Sequence, residues 1–319
     1  MYNNNKIIAI GDIHGDYYIF IELLKLAKVI DSNLNWIGKD TYVIQLGDTL
    51  DGKRPNIVLN AEYLNTPGEI EIIKLILSLD KKAYKHGGRV ISILGNHELY
   101  PHYYYNDETF NQQYVKKVDL DNYKKLYNTT RFNYFKPGKG EGAKLLGKTR
   151  PLILQLGQFI FTHGSLNENF LKLCIKHKLN KSEKNVVNIT KINKLMSDWL
   201  TGKSTTIPFF ITSGEDINPL FNRDLTDPKK LNKTQCKNLV DNIFKYFENG
   251  KYVVMGHSTH RNINTLCNNT VYRTDIAISR AFGETLEKNM KRLQVLEIKQ
   301  QNNCIKTNII TPNGKIKII

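Results

Sequence analysis

Three segments in the first hundred residues share one pattern. Lys6–Ile10, Tyr42–Leu46 and Val90–Leu94 are short apolar runs, and each stops at Gly plus a polar side chain: Gly11-Asp12, Gly47-Asp48 and Gly95-Asn96. Apolar runs of about four to eight residues closed by turn residues predict buried strands. Between them, Tyr17–Lys28 places Phe20, Leu23, Leu24 and Ala27 at helical spacing, and Ile70–His86 does so through Ile73 and Leu77. Thr66-Pro67-Gly68-Glu69 has the form of a capping box with Pro at the first helical position, and Gly87-Gly88 reads as the stop. The alternation of strand and helix predicts an α/β fold with parallel strands and helical crossovers. Ligands of such sheets bind beyond the carboxyl ends of the strands, so all three Gly-Asp or Gly-Asn pairs are expected on that edge.

The pattern changes from Leu99 to Arg150. Tyrosines cluster at Tyr100, Tyr103, Tyr104, Tyr105 and Tyr114, and helical periodicity is moderate. We expect one domain over residues 1–319, with a Tyr-rich insertion at about 99–150 over the strand edge and a polar, exposed connection at about 180–194. Strand-like runs return at Leu152–Gln155, Phe159–Thr162, Tyr252–Met255, Val271–Thr274 and Leu293–Ile298. No internal repeat is visible.

Composition adds limits. The chain has 319 residues, 40% hydrophobic and 24% charged, which is ordinary globular composition. Its net charge of +16 would suit phosphates, nucleic acids or acidic proteins. The richness in Lys, Asn, Ile and Tyr, all with AT-rich codons, supplies a blander cause, and nucleic acid is not favoured as a partner. The four cysteines, Cys174, Cys236, Cys267 and Cys304, form no CxxC pair, which excludes zinc-finger spacing. No stretch approaches the ~18 apolar residues of a membrane span, and the N-terminus lacks signal-peptide form. The expectation is a cytoplasmic protein with free thiols.

Five short pieces carry candidate chemistry: Gly11-Asp12-Ile13-His14-Gly15, Gly47-Asp48-Thr49-Leu50-Asp51, Gly95-Asn96-His97-Glu98, Thr162-His163-Gly164 and Gly256-His257-Ser258. Singly each is weak, since Asp and Asn favour turns in any protein. As an ordered set behind strand-like runs they are specific. Carboxylate, imidazole and amide-oxygen ligands suit Mn, Fe or Zn. Two metals ~3.5–4 Å apart need a shared ligand, and Asp48, from the middle strand of the three, is the natural bridge.

This set resembles the calcineurin-like metallophosphoesterases of the phosphoprotein phosphatase type, over nearly the whole chain from Ile8 to about Ile298. The closer resemblance is to the Shewanella-like protein phosphatases. It rests on Phe135-Lys136-Pro137-Gly138, Arg150-Pro151, Phe161 to Leu166, Ser197-Asp198-Trp199-Leu200, Pro219 to Arg223 and Asp275 to Arg280. The resemblance implies a two-sheet β sandwich flanked by helices, with two divalent metals at the strand ends, Mn foremost and Fe or Zn as alternatives. It implies that Asp12 and His14 hold the first metal, Asp48 bridges, and Asn96, His163 and His257 hold the second. A metal-bridging hydroxide would attack phosphorus in line. His97 would protonate the leaving oxygen, oriented by Asp51.

Two departures stand out. The family's DRG reads Asp51-Gly52-Lys53, so the phosphate-gripping arginine is missing from its place; Arg54 or Lys53 would substitute, with Arg223 as the second grip. In Gly256-His257-Ser258-Thr259-His260 the second His is one residue too far to be the ligand of a GHxH motif. The expected substrate is a phosphorylated protein or peptide, at Ser/Thr or Tyr. The alternative on the same site is a nucleotide or dinucleoside polyphosphate hydrolase or a phosphodiesterase. A dead-enzyme scaffold is disfavoured, because every predicted ligand and His97 are retained.

Overall fold

The computed structural model describes residues 6–99, 113–182, 185–227, 231–301 and 304–319. The three early apolar runs are strands: β1 (Lys6–Ile10), β2 (Tyr42–Gln45) and β3 (Arg89–Ser92). They are parallel neighbours, with Ile8 beside Val43 and Val43 beside Val90. Helices α1 (Tyr17–Leu26), α2 (Ala61–Leu64) and α3 (Glu69–Tyr84) fill the crossovers. Then come α4 (Lys117–Tyr127), α5 (Arg131–Tyr134), α6 (Glu141–Thr149), β4 (Ile153–Leu156), β5 (Phe159–Thr162), α7 (Glu168–Lys176), α8 (Ile189–Thr201) and α9 (Lys233–Phe244). The chain continues through β6 (Tyr252–Met255), β7 (Asn264–Leu266), β8 (Val271–Arg273), α10 (Leu286–Arg292), β9 (Val295–Gln301), β10 (Cys304–Thr311) and β11 (Gly314–Lys317). Two mixed sheets result, ordered β11-β10-β9-β1-β2-β3 and β4-β5-β6-β8-β7.

Strand alternation explains how the sheets are buried. Successive side chains point to opposite faces. In the second sheet Leu156, Phe159, Phe161, Val254 and Tyr272 join the core shared with β1, β2, α1 and α3. Their neighbours Ile153, Ile160, Val253, Met255 and Val271 face a second core, with α8 and Tyr123 of α4. The two sheets thus sandwich one core, and helices cover the outer faces. This is the α/β sandwich the resemblance implied.

Several expectations change. The Thr66–Glu69 capping box does not form. Helix α3 starts at Glu69, its N-cap Gly68 offers no side chain, and Asp119 Oδ1 of α4 accepts the Gly68 and Glu69 N–H groups at 2.8 and 3.3 Å. Glu69 is drawn away to a buried arginine, described below. The helix does stop as expected: Gly87 takes a φ of 78°, and Gly88 N–H bonds to Ala83 O. The connection at 180–194 is partly helical, because α8 begins at Ile189, capped by the Asn188 side chain. Beyond the Tyr-rich stretch, residues 117–149 are largely helical. Tyr100, Tyr103, Tyr104, Tyr105 and His102 lie outside the described residues. The reading of four free thiols is corrected: Cys236 of α9 and Cys267 of the β7–β8 turn form a disulfide, with Cα atoms 5.1 Å apart across a separation of 31 residues. The hairpin turn brings together two cysteines that spacing alone kept apart. Cys174 and Cys304 are free.

Candidate active site

Asp12, Asp48 and Asn96 stand just past β1, β2 and β3, and His163 and His257 stand past β5 and β6. Both sheets therefore deliver side chains to one edge. The turns are tight. His14, Asp48, Asp51 and His257 have φ of 40°, 53°, 65° and 73°, a region non-glycine residues seldom adopt. A Cβ at Gly95 would collide with Asp48 Oδ1, and one at Gly256 with Asp12 Oδ1. Glycine there is what lets the carboxylates in.

Six predicted ligands converge. Asn96 Oδ1 lies 2.8 Å from His163 Nε2 and 3.1 Å from His257 Nδ1. Those two ring nitrogens are 3.2 Å apart, and Asp48 Oδ2 is 3.3 Å from His163 Nε2. On the other side, His14 Nε2 is 3.8 Å from Asp48 Oδ2 and 4.0 Å from Asp12 Oδ2. Asp48 thus belongs to two donor groups, one with His163 and His257 and one with His14 and His97. The second nitrogens of three histidines face backbone carbonyls: His14 Nδ1 faces Leu50 O, His163 Nδ1 faces Leu46 O and His257 Nε2 faces Phe221 O. A carbonyl only accepts, so those nitrogens carry protons. In the neutral rings the inward nitrogens then keep lone pairs, the state that binds a metal.

The buried groups shift one another's ionisation. Burial and the neighbouring Asp275 and Asp48 push Asp12 well above the usual carboxylate range. Burial also works against the Asp48 charge, but His163 and His97 outweigh it and hold Asp48 well below that range. Burial lowers His14 and His257, aided by Arg54 and by His163 respectively. His163 goes the other way: burial opposes its proton, but Asp48 outweighs it and the pKa rises. A set of buried acceptors this dense needs positive charge in its midst.

A polar layer holds the site from behind. Glu98 ties the turns after β2 and β3 together. Its Oε2 accepts the N–H groups of Asp48 and Gly95, and its Oε1 accepts the N–H and hydroxyl of Thr49. Arg150 Nη1 donates to Glu98 Oε1 at 3.0 Å. Asp16, the N-cap of α1, pairs with Arg280 through two bonds of 2.9 and 2.7 Å, and Ser279 Oγ donates to His14 O. His97 Nδ1 meets Asp51 Oδ2 at 2.7 Å.

The predicted phosphate grips fall in different places. Arg54 lies over the Phe282 ring at 4.9 Å, and its Nη1 donates to Asp51 O and Lys53 O. It is close enough to bear on His14 and Asp275. Arg223 Nη1 donates to His257 O and to Ser258 Oγ at 2.7 Å, so it stands on the opposite rim, not in a remote surface ion pair. Lys53 is half-buried, and its N–H donates to Tyr114 O. His260 bonds Thr226 O and stays outside the converging set. His86 and His177 are exposed, the latter stacked on Phe209.

Comparison with known proteins matches this geometry to a family. The model for calcineurin-like phosphoesterases matches residues 5–261. The chain belongs to the calcineurin-like phosphoesterase family. It is a hydrolase of phosphoric esters, and the family implies divalent metal ions as cofactors. Shewanella-like protein phosphatase 1 of Plasmodium berghei is 30% identical over 292 residues, covering 86% of this chain and 68% of the relative. Shewanella-like protein phosphatase 2 of Arabidopsis thaliana is 22% identical, covering 98% and 79%. Among solved structures, a cold-active protein-tyrosine phosphatase of a psychrophilic Shewanella has a TM-score of 0.70 at 19% identity, covering 99% of this chain and 80% of that one; it shows the same fold. Among the described residues, no helix is long and apolar enough to cross a membrane.

Proposed function

We propose that this phosphoesterase is a phosphoprotein phosphatase that cleaves phosphomonoesters of Ser, Thr or Tyr. The observation that carries the reading is the 2.7 Å contact between His97 Nδ1 and Asp51 Oδ2, beside the converging metal ligands. With Nδ1 on Asp51, Nε2 is the His97 nitrogen that would serve a leaving oxygen. The names of the similar protein phosphatases support the same reading.

Asp12, His14 and Asp48 would hold one metal, and Asp48, Asn96, His163 and His257 the other, with Mn first among the candidates. When bound, two divalent cations draw charge off the phosphoryl oxygens and acidify water. The chain's own groups do the rest. As a water oxygen bonds to phosphorus and the ester P–O bond breaks, His97 would give the proton at Nε2 to the departing oxygen, with Asp51 keeping the ring aligned. Arg54 and Arg223 would grip the phosphate from opposite rims. Their bonds to the protein use one guanidinium nitrogen each, which fixes the fork while other donors remain for oxygen. Lys53 would add a point charge beside Arg54.

Phosphate release with Mn²⁺ from p-nitrophenyl phosphate and a phosphopeptide panel tests this, with diadenosine tetraphosphate and RNA as counter-substrates. Turnover of phosphopeptides and loss of it in Asp48→Asn is the expected result. Turnover of the small ester with none on any phosphopeptide sinks the proposal.

A further inference from the structure

Arg131 was not singled out by any motif, yet it is a wholly buried arginine close to the proposed proton donor. It is the first residue of α5, whose N-cap is Thr130. Its Nη2 donates to Asp51 Oδ1 at 2.6 Å. Its Nε and Nη2 also fork onto Glu69, at 2.7 Å to Oε2 and 3.0 Å to Oε1. Glu69 Oε1 in turn accepts the Asp51 N–H at 2.8 Å, and Tyr123 donates its hydroxyl to Glu69 Oε2. Burial works against the guanidinium charge, but Glu69 and Asp51 outweigh it and raise its pKa above the ordinary arginine value.

Each Asp51 oxygen therefore has its own partner: Oδ1 on Arg131 and Oδ2 on His97. A carboxylate held at one oxygen can still turn about its last bond. Held at both, it cannot turn without breaking a charge-assisted bond. Glu69 fixes the guanidinium, and so fixes the angle at which Asp51 meets the imidazole.

We propose that Arg131 is a positioning residue that, braced by Glu69, locks Asp51 so that His97 Nε2 stays aimed at the leaving oxygen. The inference rests on the reading of His97 as proton donor. Arg131 touches no substrate, and its effect passes through Asp51.

The test compares substrates that differ in their need for a proton. Dinitrophenyl phosphate expels a stable dinitrophenolate anion; the leaving oxygens of phenyl phosphate and a phosphoserine peptide need protonation. For Arg131→Lys, kcat is expected to fall about 10–100-fold on phenyl phosphate and the peptide, but under about 3-fold on dinitrophenyl phosphate, with KM little changed. Glu69→Gln leaves the guanidinium in place and is expected to show the same bias at smaller size; it carries the test if Lys at 131 prevents folding. In an Asp51→Asn background, Arg131→Lys is expected to add no further loss on phenyl phosphate. An equal fall on both ester types, no bias in either variant, or additive losses with Asp51→Asn would overturn the inference. His97→Asn separates the two claims. If it loses both esters equally, the proton-donor reading falls and this inference with it. If it shows the leaving-group bias while Arg131→Lys and Glu69→Gln do not, this inference alone fails.

Discussion

Glu98 Oε2 accepts the Asp48 backbone N–H at 3.0 Å, so the carboxylate shared by both donor groups is positioned by a second carboxylate behind it. The same Glu98 holds the turns after β2 and β3. Glu98→Gln turns one acceptor oxygen into a donor facing other donors. We expect a loss of about 2–4 kcal/mol in urea unfolding and about 10–100-fold weaker metal binding. Unchanged Mn²⁺ affinity by calorimetry would remove Glu98 from this role.

Asp119 gives a pH signature. Burial pushes its carboxyl up to about 6, despite Lys116 at 3.5 Å, and among the described residues Oδ2 makes no hydrogen bond. The folded state then holds this proton more tightly than the unfolded chain, whose ordinary value is 3.8. Between these values the fold binds more protons, so Asp119 favours folding at low pH and that advantage is lost as pH rises through about 6. Asp119→Asn keeps an oxygen for the Gly68 and Glu69 N–H groups and does not titrate. The Tm of the variant relative to the parent should therefore improve from pH 4 to pH 7. A difference that is flat or falls with pH contradicts the assignment.

Arg54 and Arg223 should prove unequal to lysine. Arg54→Ala is expected to cost about 100–1000-fold in kcat/KM on a phosphopeptide. Arg54→Lys should recover only part, because an ammonium cannot replace a fork set on two carbonyls over Phe282. Full activity in Arg54→Lys would show that a point charge suffices and would bring Lys53 forward.

The disulfide closes a separation of 31 residues. Chain entropy gives such a closure about 3–4 kcal/mol. Cys236→Ser should lower the urea midpoint accordingly. Thiol titration of the unfolded, unreduced protein should count two thiols, Cys174 and Cys304. A count of four would contradict the pairing.

The site was legible to the extent that its chemistry sits in short contiguous pieces. Asp12, Asp48 and Asn96 directly follow apolar runs, and glycine marks each turn. The support behind them was not legible, because it is long-range. Glu69 and Arg131 are 62 residues apart and Asp51 and Arg131 are 80 apart, so no local spacing announces them. Thr66 to Glu69 misled for the same reason: the local capping pattern is real, but Glu69 gains more from a buried guanidinium than from capping its own helix. Strands β10 and β11 went unread because they lie past the resemblance. Their polar and apolar positions mix Lys and Asn with Ile, and β11 is exposed throughout.

Two of the arginines beneath the site, Arg131 and Arg150, come from the helical stretch between the two sheets' strands. That stretch first reads as an insertion laid over the edge. Its charges reach inward to Asp51, which meets His97, and to Glu98, which holds the Asp48 turn. A chimaera that borrowed this stretch from a distant relative would therefore have to borrow Glu69 and Glu98 with it. The stretch's inner surface is tied to the site's turns by these charge pairs, so substitutions there should cost more than on its outer surface.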